Sequence, residues 1–104
     1  MGYTAGEPMT LYAVIDVTVK NHEKLKEYVA GHLPTIMQHG GKIVSRGFDP
    51  EVVTGSWAPR LLVIHEWPDR EQFQRWYDSA EYRPWRELRE EACDMNMVLT
   101  AGEP

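Results

Sequence analysis

With 104 residues, 42% hydrophobic and 26% charged, the chain has the size of one small domain and the make-up of a globular protein, not of a disordered tract. Its net charge of −5 arises from 16 acidic residues mixed among 11 Lys and Arg, leaving no basic stripe for a phosphate backbone, so no nucleic-acid partner is expected. The longest aliphatic run, Leu61 to Ile64, is far too short to span a bilayer, and the N-terminus lacks a charged-then-apolar signal pattern, so no membrane partner and a cytoplasmic location are expected.

Residues 1–9 hold two glycines and a proline with no apolar period, and are expected to form a flexible arm before a single domain over 10–101, with 102–104 as a tail. From Leu11 to Val19, Leu11, Ala13, Ile15, Val17 and Val19 alternate with Tyr12, Val14, Asp16 and Thr18, the pattern of a strand. Asn21 is a candidate N-cap for a helix in which Leu25, Tyr28, Val29, His32, Leu33, Ile36 and Met37 share a face. Pro34 removes a backbone donor, so a kink or break is expected near residues 30–33, and Gly40-Gly41 supplies a left-handed stop.

Lys42 to Phe48 reads as a second strand, with Glu51 to Thr54 expected to continue it past a turn at Asp49-Pro50. Arg60 to Trp67 is the most apolar strand. Leu61, Val63, His65 and Trp67 lie on one face and Leu62, Ile64 and Glu66 on the other. Asp69, with Gln72 three residues on, fits a capping box opening a helix whose inner side is Phe73, Trp76 and Tyr77. Ser79 can recap the chain ahead of Pro84, which begins a further helical piece through Trp85, Leu88 and Ala92. Met95 to Thr100 is the last strand.

The order strand, helix, strand, strand, helix, strand implies an α+β, ferredoxin-like βαββαβ fold: a four-stranded antiparallel sheet, first and third strands central, helices on one face. Both central strands are apolar on both faces, and a bare sheet face would expose a patch larger than a monomer tolerates. A second copy related by a two-fold axis is the simplest cover, so a homodimer forming a dimeric α/β barrel is expected.

Glu66, beside Leu62 and Ile64, is a candidate proton carrier, because a carboxylate in apolar surroundings is either paired or raised in pKa. The alternative is a structural ion pair with an arginine. The four histidines, 22, 32, 39 and 65, have no zinc-type spacing, so no metal is expected. His39 is a second candidate proton carrier, although a helix end gives it a structural reason to be there. His65 reads as a core or interface imidazole. Tyr28, Trp76, Tyr77 and Tyr82 could wall a binding pocket, with Arg46, Arg83 or Arg89 gripping an anion, or could simply fill the core. Cys93 sits among acids and reads as packing.

Tyr28 with Pro34, Gly40-Gly41, Arg46-Gly47, Gly55 with Trp57, Glu66-Trp67-Pro68, Trp76 to Ser79, Glu81-Tyr82 and Arg89 together resemble a known family. From about Leu11 to Leu99 the chain is similar to domain of unknown function thirteen-thirty, of the dimeric α/β-barrel superfamily. Thr54 stands where that pattern usually has an acid, and Trp67 where it usually has phenylalanine. The superfamily spans cofactor-free monooxygenases, muconolactone isomerases, haem peroxidases and stress-response barrels. Membership of so varied a superfamily leaves function open. Together with the residues above, the leading expectation is a homodimer with a sheet-to-helix pocket for a small aromatic or carboxylated molecule, with either cofactor-independent monooxygenase or isomerase chemistry, or a non-catalytic binding or structural dimer module. On the first alternative Glu66 or His39 moves a proton, Arg46 or Arg89 holds negative charge, Tyr28, Trp76, Tyr77 and Tyr82 shape the cavity, and no cofactor is needed.

Overall fold

The computed structural model describes residues 10–103; the arm expected over 1–9 lies outside them. The elements are β1 (Leu11–Val19), α1 (His22–Gln38), β2 (Lys42–Phe48), β3 (Leu61–Trp67), α2 (Arg70–Tyr77), α3 (Arg83–Ala92) and β4 (Cys93–Ala101). The strands form one antiparallel sheet in the order β2-β3-β1-β4, so β1 and β3 are central. This is the ferredoxin-like α+β arrangement, its second helix split in two.

Alternation decides which side chains meet the helices. Leu11, Ala13, Ile15 and Val17 from β1, with Leu61, His65 and Trp67 from β3, are buried. They form the core with Leu25, Tyr28 and Ile36 of α1, Phe73 and Trp76 of α2, and Tyr82. The opposite face carries Tyr12, Val14 and Asp16, facing Glu66, Ile64 and Leu62 across the β1–β3 register, and Val98 beside Val14. Among the described residues no helix covers that face, and Val98 is 60% exposed.

Two local expectations are corrected. α1 runs unbroken for 17 residues with Pro34 inside it, so the expected break does not occur. Buried Leu25, Tyr28, His32 and Ile36 anchor the helix to the sheet on both sides of the proline, and one lost backbone bond is too little to part it. Residues 51–54 form no strand. Asp49 takes a left-handed φ of 51° and its N–H donates to the Arg60 carbonyl at 2.7 Å, which pinches β2 and β3 into the base of an exposed loop. Trp57 brings that loop back, its Nε1 donating to Asp16 on the uncovered face at 2.9 Å.

The capping signals appear as side-chain bonds. Asn21 accepts from the Lys24 N–H at 3.0 Å and Asp69 from the Gln72 N–H at 2.8 Å. The Gln72 side chain does not close a box; it donates to the His39 carbonyl at 3.3 Å and joins the start of α2 to the end of α1. Gly40 has φ +90°, and a Cβ on Gly41 would lie 2.7 Å from the Trp67 ring, so the first glycine makes the turn and the second admits the indole. Among the described residues no helix is long and apolar enough to cross a membrane.

Candidate functional site

A cavity of about 40 Å³ lies between α1 and the sheet. Its walls are mostly aliphatic, and its polar edges are Tyr28, His32, Arg46 and His65. The two histidines enter from different layers. His32 follows Tyr28 by one helical turn on the buried stripe of α1, and His65 sits between Val63 and Trp67 on β3, where alternation turns it toward the helices. Their ring centroids are 6.5 Å apart.

Burial decides their charge. His32 is pushed down to about 4 and His65 to about 3, in each case chiefly because the imidazolium would lose its hydration; for His65 the neighbouring His32 adds to this. Both are neutral at physiological pH. His32 Nδ1 lies 2.8 Å from the Tyr28 carbonyl, which can only accept, so the proton sits on Nδ1 and Nε2 keeps its lone pair. His65 Nδ1 is buried with no partner among the described residues.

Behind the cavity the aromatics satisfy one another. The Tyr28 and Tyr82 hydroxyls are 2.8 Å apart, and Arg89 Nη1 donates to Tyr82 at 3.2 Å. Burial, foremost, holds both phenols above their ordinary value, so they stay protonated. Trp76 stacks on Tyr82 at 4.1 Å and donates from Nε1 to Thr35 Oγ1 at 2.9 Å. Tyr77 is half-buried, with the Arg86 guanidinium 4.8 Å over its ring.

The expected site residues therefore separate into groups. Tyr28 and Arg46 line the cavity. Trp76, Tyr82 and Arg89 stand behind Tyr28 as its support, and Tyr77 packs beside them. Glu66 is on the other face of the sheet, paired with Lys42 at 3.1 Å, since alternation turns it away from its neighbour His65. His39 caps α1, its Nδ1 donating to the Thr35 carbonyl at 2.9 Å and its Nε2 lying 3.8 Å from Glu81. The structure brings neither Glu66 nor His39 to the cavity. Reasoning from sequence passed over His32 and His65 as cavity groups, although their shared faces with Tyr28 and Val63 were visible. Cys93 is buried, and burial raises its thiol, which suits packing.

No curated protein matches the chain in sequence. Among solved structures, a protein of unknown function from Rhodopseudomonas palustris is 18% identical with a TM-score of 0.80, over 94% of this chain and 85% of that one. SnoaB, a cofactor-independent oxygenase from Streptomyces nogalater, is 13% identical with a TM-score of 0.68, over 93% and 95%. A dimeric ferredoxin-like protein of unknown function from Thermobifida fusca is 12% identical with a TM-score of 0.65, over 98% and 99%. At these identities the likeness is one of fold. The model of the family described as Domain of unknown function (DUF1330) matches residues 10–103, and the chain belongs to that family.

Proposed function

We propose that residues 10–101 act as one domain of a homodimer that binds a small aromatic or carboxylated molecule in the cleft between α1 and its own sheet. The observation that carries this reading is the cavity itself: apolar walls, two neutral imidazoles inside and a guanidinium at its edge. Tyr12, Val14, Leu62, Ile64 and Val98 on the uncovered face support the dimer, as does the dimeric neighbour from Thermobifida fusca. The lone buried thiol is compatible with a cytoplasmic setting.

Thermal-shift screening of small aromatic and aliphatic acids tests the cleft. Active compounds raise the melting temperature of the wild type but not of Val63→Trp, in which an indole fills the cavity. Compounds that stabilise both proteins equally would place binding elsewhere.

A second reading, cofactor-independent turnover, is favoured by the His32 Nε2 lone pair, and SnoaB is a fold relative with such an activity. Here His32, not Glu66 or His39, is the proton acceptor; because burial holds it at about 4, the bound molecule has to offer an acidic proton, and the resulting anion is either reprotonated at another atom or oxidised by dioxygen. His32→Gln then abolishes turnover and keeps binding.

A further inference from the structure

The cavity continues outward. A second, open hollow of about 560 Å³ lies between the first turns of α1 and the end of β2, and Leu25, Val29, Arg46 and Leu61 line both spaces. Together they make one cleft with a narrow closed end and a wide open end, and Arg46 stands where the two meet. The open end is also lined by His22, Lys26 and the 63% exposed Phe48, and Glu23 is its one acid. Among the described residues neither Arg46 nor Lys26 has a carboxylate partner within 4.0 Å.

The two ends suit opposite chemistries. A carboxylate pushed past Arg46 into the closed end would give up its hydration among aliphatic walls and imidazoles that carry no charge, with the Arg46 guanidinium at the mouth as the one cation lining that end. At the open end it stays hydrated and meets two cations, one of which can grip it through two N–H groups. Size adds a limit: one water needs roughly 10–15 Å³ of such space, so about 40 Å³ admits roughly three chain carbons or the edge of one ring. A fused polycycle does not fit there.

Resting on the cleft reading above, we propose that the ligand is an anionic amphiphile bound tail first, a slender monocarboxylate. Its alkyl or arylalkyl end occupies the closed cavity, and its carboxylate lies at the open end against Arg46 and Lys26. Phe48 and Leu61 flank the middle of the chain. The charge thus fixes orientation and the closed end fixes width.

Isothermal titration of the full chain with straight-chain acids from butanoate to decanoate, alongside octanol and octylamine, tests this. Octanoate is expected to bind about tenfold tighter than octanol, with octylamine weaker still. Affinity rises with each methylene until the cleft is full. Arg46→Ala removes the advantage of octanoate over octanol, Arg46→Lys keeps most of it, and Val63→Trp weakens both ligands; Met97→Phe replaces Val63→Trp should the latter not fold. If octylamine equals octanoate, or Arg46→Ala leaves octanoate unchanged while Val63→Trp still blocks binding, the orientation is wrong and the cleft reading stands. If no filling variant affects any ligand, both fall.

Discussion

The Tyr28 and Tyr82 hydroxyls meet at 2.8 Å in the core, tying α1 to the turn before α3, and Arg89 completes the chain from the far side. Both rings are buried, so neither hydroxyl has water as a substitute partner. Tyr82→Phe strips Tyr28 and Arg89 of a shared partner, and is expected to cost about 1–3 kcal/mol in urea unfolding. The double variant Tyr28→Phe/Tyr82→Phe is expected to cost less than the sum of the single ones. Strict additivity would mean that the bond contributes nothing.

Gly31 is fixed by packing. A Cβ there would overlap the Trp85 ring, so α1 and α3 approach as closely as they do because this turn has no side chain. Gly31→Ala gains helix propensity, yet the overlap with a half-buried indole is expected to leave a net loss of about 1–3 kcal/mol. Gly31→Ala combined with Trp85→Leu recovers part of it. Gly31→Ala alone proving stabilising by thermal unfolding would contradict the close contact.

The buried histidines make stability depend on pH in one direction. In the unfolded chain each titrates near the ordinary value of 6.5, whereas the folded chain holds His32 at about 4 and His65 at about 3. The unfolded state therefore binds more protons between those values, so the stabilisation is complete above pH 6.5 and is lost as pH falls toward 4 and then 3. The expected loss is on the order of a few kcal/mol between pH 7 and pH 4. His32→Gln should flatten the profile of urea midpoints over that range; a profile as steep as the wild type's would assign the slope to other groups.

Much of the fold was legible because alternation is a local signal. Leu11 to Val19 and Leu61 to Trp67 announce their strands and their inner faces directly. What failed was decided by contacts far along the chain. Pro34 is a break signal that the packing of α1 on the sheet overrides, and Val52 and Val53 look strand-like until Asp49 turns the chain away. For the site, the alternation that set Glu66 opposite His65 was already on view. Which of the two faces holds the cavity depends on where the helices lie, and Glu66 lies on the face away from them.

On the homodimer reading proposed above, the sheet divides into a helix-covered face that holds the cleft and a bare face that meets a second copy. Sedimentation equilibrium of the wild type and of Ile64→Lys tests that division most directly. Ile64 sits on β3 opposite Val14, at the middle of the uncovered face. A charge there is expected to leave the circular dichroism spectrum intact and to convert a particle of twice the chain mass at micromolar concentration into one of single mass. A wild type of single chain mass at that concentration, or an Ile64→Lys protein that remains paired, would contradict it.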